Sequence, residues 1–366
     1  MKVALVISSL GAGGAERVLV GIANWLHAHN HEVTVITYLD QPDFYALDSG
    51  VTRLKVSAKT QSHNILKRIT ATSARAIALR AYISSVNPDR VISFVDKCNT
   101  LTLIACMGLE YKVIISERTN PKYYQIGVVQ SFLRRIFYRR AHALVIQTES
   151  LRKWAEHHIS DGKIFVIPNA LDKNRIADML NVQPAFFPST FSLRIITMGR
   201  LSYEKGHDLL LEAYATISEK YPDWGLEIIG DGPLRVELEL LARKLGIQQK
   251  VTFHGQVNNP FGLIKCADIF VFPSRVEGFP NALLEAMGLG VAVASFNCPS
   301  GPADLIRHNE NGLLVSPQSI SDLSLALERL ILDEGNRIRL GENARDVVNQ
   351  YSEENIMYRW NQVLSL

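Results

Sequence analysis

Residues 268–290 read DIFVFPSRVEGFPNALLEAMGLG, and this stretch decides the fold of the chain. Ile269–Phe272 is a short apolar run, typical of a strand buried on both faces. Gly278 and Pro280 interrupt the chain, and a helix is predicted to begin at Asn281. A helix that follows a parallel strand presents free backbone N–H groups, which favour a phosphate. The stretch therefore predicts a parallel α/β sheet with an anion site.

Two glutamates flank this predicted anion site. Glu277 precedes the helix, and Glu285 lies four residues after Asn281 on the same helix face. A carboxylate beside an anion is unfavourable unless it accepts hydrogen bonds, and neighbouring sugar hydroxyls are natural donors. The pattern therefore predicts a pocket for a phosphorylated sugar.

Strand and helix patterns alternate along all 366 residues, which exceeds the usual size of a single core. The alternation pauses between residues 172 and 192 and then restarts. We predict two doubly wound, Rossmann-like domains that face each other across a cleft. The first spans residues 1–171 and the second 172–349, with the helix at about 350–366 able to pack back on the first.

Composition narrows the class of protein. No apolar run is long enough to span a membrane, and the beginning of the chain lacks a cleavage-type ending. The four cysteines are widely spaced, which is typical of free thiols in a cytoplasmic protein and not of a metal site. Residues 1–170 carry 21 Lys and Arg against 12 Asp and Glu, so the first half favours an acidic partner.

Three glycine loops also follow predicted strands. Gly13 and Gly14 open the first helix, where a binding loop and a plain strand-to-helix turn are equally compatible with the pattern. Arg200 and Lys205 lie in the loop after the strand at 193–198, where two cations can hold a pyrophosphate. Gly230 lies in the third loop, and an ordinary turn explains that loop equally well.

Taken together, these segments resemble the retaining GT-B glycosyltransferases of family four over essentially the whole chain. The resemblance is carried by the following segments: GGAER at 13–17, IPN at 167–169, GR and EKG within 199–206, GDGP at 230–233, PS, EGFPN and LEAM within 273–287, and NGLLV at 311–315. First-domain segments at 44–47, 91–96 and 115–117 are also similar to N-acetylgalactosamine transferases that extend lipid-linked oligosaccharides.

The resemblance implies a role for each matching residue. The catalytic residues would be Arg200, Lys205 and Glu277, with the two cations on the donor diphosphate. Donor binding would involve Gly13, Gly14, Gly230, Val257, Phe279, Pro280, Asn281 and Glu285, with Glu285 on the ribose. The resemblance also implies a UDP-sugar substrate, no metal and no cofactor, because cationic side chains and a helix N-terminus stabilise the leaving group. Retention would follow from front-face transfer, in which a donor phosphate oxygen accepts the acceptor's proton.

One loop departs from the family pattern. Many members carry a histidine after the strand at 113–116, whereas this chain has Glu117 and then Arg118. These two residues either line the active site or pair only with each other.

Two basic helices are candidates for binding the acceptor or an anionic membrane. The candidate side chains are Lys67, Arg68 and Arg75 in the first helix, and Arg134, Arg135 and Arg139 in the second. A solvated helix face is the alternative for each. Aromatic residues beside the second set follow helical spacing, which argues against a nucleic-acid partner.

The leading hypothesis is a transferase that moves a hexose or N-acetylhexosamine from a UDP-sugar. The acceptor would be a polyprenyl-pyrophosphate-linked glycan or polysaccharide intermediate at the cytoplasmic face of a bacterial plasma membrane. A sugar-nucleotide epimerase and a non-catalytic nucleotide-sugar-binding partner are the alternatives.

Overall fold

The computed structural model describes residues 1–11, 13–39, 41–56, 65–124, 126–171 and 191–366, without the side chains of 65–71. The chain divides into two compact units. The first comprises Met1–Asn169 together with Ile356–Leu366, and the second comprises Ala170–Asn355.

The first unit contains a seven-stranded parallel sheet of order β3-β2-β1-β4-β5-β6-β7. The strands are β1 Lys2–Ile7, β2 Glu32–Thr37, β3 Thr52–Lys55, β4 Arg90–Phe94, β5 Lys112–Ser116, β6 Ala143–Ile146 and β7 Ile164–Val166. The helices that the structure describes before residue 170 are α1 Gly14–Ala28, α2 Ile65–Val86, α3 Asp96–Ala105, α4 Val128–Phe137 and α5 Arg152–Glu156. Tyr138–Arg140 extends α4 as a single 3-10 turn.

The second unit contains a six-stranded parallel sheet of order β10-β9-β8-β11-β12-β13. The strands are β8 Leu193–Met198, β9 Trp224–Ile229, β10 Val251–Gly255, β11 Ile269–Phe272, β12 Ala292–Phe296 and β13 Leu313–Val315. The helices described here are α6 His207–Ser218, α7 Arg235–Lys244, α8 Phe261–Lys265, α9 Asn281–Gly288, α10 Pro302–Leu305, α11 Ile320–Leu332, α12 Glu334–Ala344 and α13 Val347–Gln350, followed by α14 Glu353–Leu364, most of which belongs to the first unit.

Strand β11 shows that the second sheet is covered on both faces. All four of its residues are buried. Ile269 and Val271 belong to one apolar cluster, whereas Phe270 and Phe272 belong to another. Successive side chains of a strand point to opposite faces, so the two clusters lie on opposite faces of the sheet. This arrangement confirms the prediction of a strand buried on both sides.

In both sheets the strand order reverses in the middle, next to the first strand of the unit. The second sheet has the doubly wound order 3-2-1-4-5-6, and the first has the same order with a seventh strand added, which confirms the predicted doubly wound sheets. Ligands of such sheets bind outside the carboxyl ends of the strands at the point of reversal. In the second unit that point lies between β8 and β11.

Most predicted elements are confirmed, and six described helices and strands were missed: α3, α5, α8, α10, β3 and β13. Helix α3 buries polar residues, including Asn99, Thr100 and Thr102, so it lacks the apolar stripe by which helices are recognised. Strand β3 is a short, half-exposed edge strand with the sequence TRLK, and β13 has only three residues.

Helix α14 contributes side chains to the first unit. The Trp360 ring lies 5.9 Å from the Phe94 ring, and the Arg90 guanidinium donates a hydrogen bond to the Leu364 carbonyl at 2.9 Å. Within the ranges that the structure describes, no helix has the length and apolarity needed to cross a bilayer.

Candidate active site

The predicted second-unit residues gather at the point where the strand order reverses. Arg200 and Lys205 follow β8, and Glu277 follows β11, the strand paired directly with β8. Both loops therefore leave the same edge of the sheet from neighbouring positions. The sequence predicted these residues separately, and the fold brings their loops together.

Lys205 and Glu277 are in direct contact. The Lys205 Nζ lies 2.6 Å from Glu277 Oε1, and the Ser274 hydroxyl donates to the same oxygen at 2.7 Å. The Glu277 side chain is 8% exposed and that of Lys205 is 25% exposed, so the pair is reachable from solvent mainly on the lysine side. Ser274 was not predicted as a site residue, although it lies in the quoted stretch.

Glycines allow the site loops to pack directly against one another. A Cβ atom on Gly206 would lie 2.1 Å from the Pro273 carbonyl oxygen, and one on Gly230 would lie 2.0 Å from the Gly199 carbonyl oxygen. Both glycines also have positive φ, 66° and 131°. No larger residue fits at either position without moving the backbone.

Helix α9 begins at Asn281, as predicted. Its N-terminus has no side-chain cap. The Asn281 N–H donates to the Phe279 carbonyl at 3.0 Å, and the other N–H groups of the first turn have no acceptor within the helix. Phe279 and Glu285 are 6% and 8% exposed, which places the carboxyl-bearing residue one turn inside a mostly buried helix. An anion site at this helix start, with Glu285 beside it, remains a prediction.

An ion pair that the sequence did not reveal fixes the loop between β11 and α9. Arg275 donates to both carboxylate oxygens of Asp208, at 2.6 and 2.8 Å, and its guanidinium lies 4.2 Å from the centre of the Tyr203 ring. Burial raises the pKa of Asp208, but the hydrogen bonds and charge of Arg275 outweigh it and lower that pKa. The loop that carries Lys205 is therefore tied to the loop that carries Glu277 at a second point.

His207 is the first residue of α6, directly after the loop that carries Lys205, and its side chain is buried. Burial, and then the charge of Lys205, lower its pKa to about 4. The imidazole is therefore neutral at physiological pH.

The remaining predicted residues of the second unit occupy varied positions. Arg200 is exposed in the loop after β8, and Val257 is half-buried against the apolar cluster that contains Phe279. Pro280 is buried and packs against Gly301: a Cβ atom on Gly301 would lie 2.2 Å from Pro280 Cδ.

In the first unit, α1 begins at Gly14 with Gly13 as its N-cap. The Glu16 carboxylate folds over Gly13, where a Cβ atom would lie 2.0 Å from Glu16 Oε2. The Glu16 side chain is flexible at this end and the φ of Gly13 is −105°, so packing alone does not require glycine here, and the contact of Gly13 with a donor remains a prediction.

Of the two alternatives for Glu117 and Arg118, the one in which they pair only with each other is wrong. Glu117 is fully buried, and its Oε1 accepts a hydrogen bond from the Tyr138 hydroxyl, which in turn accepts one from Asn99 at 3.2 Å. Burial raises the pKa of Glu117 to about 7. The adjacent residues are instead held by different partners: Glu117 by Tyr138 and Arg118 by Asn169.

Arg118 is enclosed by aromatic rings. Its guanidinium lies 4.6 Å from the centre of the Phe94 ring and 5.8 Å from that of Trp360, and Nη1 donates to Asn169 Oδ1 at 3.1 Å. Its Nε and Nη2 are buried without a hydrogen-bond partner among the described residues, and burial lowers its pKa to about 9. Arg118 therefore joins α14 to the first sheet.

The structure separates the basic candidates. Arg134 is 7% exposed, and its guanidinium lies 5.0 Å from the centre of the Trp154 ring, so its expected place on a basic surface is wrong. Arg135 and Arg139 are exposed, and Arg75 is half-buried. The side chains of Lys67 and Arg68 lie outside the described residues, and their roles remain predictions.

Across the part of the chain that the structure describes, no group of three or more His, Cys, Asp or Glu side chains is arranged to hold a metal ion. The four cysteines are free.

Comparison with known proteins gives matches along nearly the whole chain. Residues 12–175 match the model of Glycosyltransferase Family 4, and residues 188–347 match that of Glycosyl transferases group 1. The chain is 31% identical over 363 residues to a Campylobacter jejuni protein, covering 98% of this chain and 97% of the relative. That relative is named GalNAc-alpha-(1->4)-GalNAc-alpha-(1->3)-diNAcBac-PP-undecaprenol alpha-1,4-N-acetyl-D-galactosaminyltransferase.

Solved structures show the same fold at lower identity. A glycosyltransferase from Rickettsia africae superposes with a TM-score of 0.84 at 19% identity, covering 99% of this chain and 97% of that one. Anabaena Alr3699/HepE in complex with UDP gives a TM-score of 0.79 at 18% identity, with complete coverage of both chains.

The two doubly wound sheets and the matches to solved structures define the GT-B fold. The chain belongs to glycosyltransferase family 4, and it is a retaining enzyme that transfers sugar from a nucleotide sugar.

Proposed function

We propose that this enzyme transfers a hexose or N-acetylhexosamine from a UDP-sugar to a polyprenyl-pyrophosphate-linked glycan or polysaccharide intermediate. The observation that carries the proposal is the Lys205–Glu277 contact at the point of strand reversal, beside the open N-terminus of α9. A cation, a carboxylate and the backbone amides of a helix N-terminus are groups that suit a sugar diphosphate.

Each part of the donor then has a complementary group. The diphosphate lies against Arg200, Lys205 and the first turn of α9, and Glu285 accepts hydrogen bonds from the ribose. Glu277 and the backbone from Phe279 to Asn281 hold the transferred sugar, while Gly230 and Val257 lie along the nucleotide. We also assign Gly13 and Gly14, in the first unit, to donor binding.

The positive groups lower the barrier by stabilising the charge that develops on the departing UDP. Lys205 is well placed for this, because Glu277 fixes its ammonium through a 2.6 Å contact. The acceptor hydroxyl attacks from the face that the UDP leaves, and a phosphate oxygen of the donor takes its proton. Neither a metal ion nor a protein nucleophile is required by this scheme.

The acceptor class is inferred from the relative's printed name. That protein acts on a glycan linked to PP-undecaprenol, and it is similar to this chain over almost its full length. We assign acceptor binding to the first unit and donor binding to the second. A polyprenyl acceptor places the enzyme at the cytoplasmic face of the plasma membrane as a peripheral protein.

A product assay tests the proposal. The purified protein is incubated with UDP-glucose, UDP-galactose, UDP-GlcNAc or UDP-GalNAc together with short-chain polyprenyl-pyrophosphate glycans, and mass spectrometry follows the acceptor. We expect a mass increase of one or more sugars with one donor class. Absence of any transfer across the panel would contradict the proposal.

A second measurement separates the two alternatives. NMR of each UDP-sugar with the enzyme, without acceptor, would reveal the interconversion that an epimerase performs. Binding of a donor without either reaction would instead indicate a non-catalytic nucleotide-sugar-binding partner.

A further inference from the structure

Helix α4 presents an unusual apolar surface to solvent. Val128 is 87% exposed, Val129 is 74% exposed and Phe132 is 62% exposed, and Ile136 continues the row at 43%. Their spacings of three, four and seven residues place them on one helix face. We call these four residues the α4 surface. Tyr123 and Tyr124, just before the helix, are also about half exposed.

The opposite face of α4 is fixed to the rest of the first unit. The Gln130 side-chain amide donates to the Asp96 carbonyl and to the Thr100 hydroxyl, at 3.4 and 3.1 Å. Arg134 lies over the Trp154 ring, and the Tyr138 hydroxyl, in the turn that extends the helix, donates to Glu117. These contacts hold the helix in one rotation about its axis, with the α4 surface directed outwards.

The segment that carries this surface has charges of a single sign. No acidic residue occurs from Thr119 to Thr148, whereas this segment contains five Lys and Arg residues. Arg135, Arg139 and Arg140 are exposed beside the apolar row, as is Lys122 near the two tyrosines. Apolar side chains flanked by cations and tyrosines match the boundary between the headgroups and acyl chains of an anionic bilayer.

From these observations we propose that the α4 surface inserts into an anionic lipid bilayer, with Phe132 and Val128 in the acyl boundary and Arg135 and Arg139 at the headgroups. A second copy of the chain is a poorer occupant, because a two-fold pairing of this face would place its cations opposite one another. The choice of a membrane rests on the proposed function, in which the acceptor is lipid-linked. The proposal adds to that function the surface of the enzyme that binds the membrane.

Vesicle binding tests the proposal without any sugar substrate. The full-length protein is sedimented with sucrose-loaded vesicles of phosphatidylcholine alone or with 30% phosphatidylglycerol, a composition chosen as roughly that of an anionic membrane. We expect binding to the anionic vesicles that weakens with added salt. The double variant V128S/F132S should lower the partition coefficient at least tenfold, because two apolar side chains are no longer buried.

The second unit supplies matched controls. Val236 and Leu240 are 66% and 55% exposed and lie four residues apart on α7, so V236S/L240S removes a comparable apolar pair. R135Q/R139Q should weaken binding to anionic vesicles, whereas R243Q/K244Q, on exposed residues of α7, should not. Equal losses in the α4 and α7 variants would overturn the proposal.

A local probe reports insertion directly. The tryptophan of F132W should shift its emission to shorter wavelength on addition of anionic vesicles, and that of L240W should not. No shift in F132W, or a dimer in sedimentation velocity that V128S/F132S dissociates, would overturn the proposal. Transfer to a short-chain acceptor without vesicles tests the proposed function separately, so failure of docking and failure of catalysis are distinguishable.

Discussion

Glu117 gives the most quantitative prediction, because it is a fully buried carboxyl group with one named hydrogen-bond donor, Tyr138. Replacing it with Gln removes the charge and keeps a carbonyl oxygen to accept that hydrogen bond. Burial raises the pKa of Glu117 from 4.5 to about 7. Since a tenfold change in an equilibrium corresponds to about 1.4 kcal/mol, the rise corresponds to about 3 kcal/mol.

The sign follows from proton linkage. A carboxyl group whose pKa is raised on folding contributes its full stability below the unfolded value of 4.5, and this contribution is lost as the pH rises through about 7. The free energy of unfolding of E117Q minus that of the wild type should therefore increase by about 3 kcal/mol between pH 4.5 and pH 8.5. Taking the difference cancels the titration of the histidines, which is common to both proteins.

Urea denaturation followed by tryptophan fluorescence measures this difference. Trp25, Trp154 and Trp360 belong to the first unit and Trp224 to the second, so most of the signal reports the unit that contains Glu117. Y138F is the companion variant, and it should cost more stability at pH 8.5 than at pH 4.5 because it removes the donor to the charged form. A difference between E117Q and wild type that stays flat across this pH range would refute the reasoning.

Three further predictions concern the second unit. Folding lowers the pKa of His207 to about 4, so the wild type should lose about 3 kcal/mol of unfolding free energy as the pH falls from 6.5 towards 4. The variant H207N should lack this loss in urea denaturation, and an identical acid dependence in the variant would contradict the prediction. G230A should destabilise the protein by about 2 kcal/mol or more in thermal denaturation, because its Cβ would lie 2.0 Å from the Gly199 carbonyl oxygen at a φ of 131°, and an unchanged melting temperature would show that the loops are not packed as described. R275K should cost about 1–2 kcal/mol by the same measurement, because lysine cannot bind both oxygens of Asp208 or stack on Tyr203 in the same way, and full stability in this variant would contradict the bracing role.

The fold could be predicted largely because its sheets are buried on both faces. Apolar runs such as Ile269–Phe272 are strong signals, and the turn residues that follow them mark the ends of strands. The signals fail where burial does not require apolar residues. In helix α3 the buried Asn99 side chain accepts a hydrogen bond from the Ser93 hydroxyl and donates one to the Ser116 carbonyl. No periodic pattern in the sequence reveals a polar residue that is buried in this way.

The charged residues of the candidate site could be predicted from the sequence, but the residues that hold them in place could not. Lys205 and Glu277 follow strands that become neighbours, so the topology brings them together. Ser274 and the Arg275–Asp208 ion pair depend on loop geometry that sequence spacing does not encode.

Helix α4 shows the limit of helical periodicity. The sequence marks two faces of mixed character, and either could have been buried. Packing against Trp154 and Thr100 selects the face with Arg134 and Gln130, and it leaves valines and Phe132 exposed. Which face is buried is decided by the partners, which are distant in the sequence.

The turnover number of K205A most directly tests the claim that sugar transfer occurs at the Lys205–Glu277 contact. The measurement uses the mass-spectrometric transfer assay at saturating donor, with circular dichroism to verify folding and K244A, at an exposed lysine on α7, as the matched control. We predict a loss of about 10²–10³-fold in kcat for K205A, as expected when a group that stabilises leaving-group charge is removed, and wild-type turnover for K244A. A folded K205A variant whose kcat stays within about twofold of the wild-type value would contradict the account.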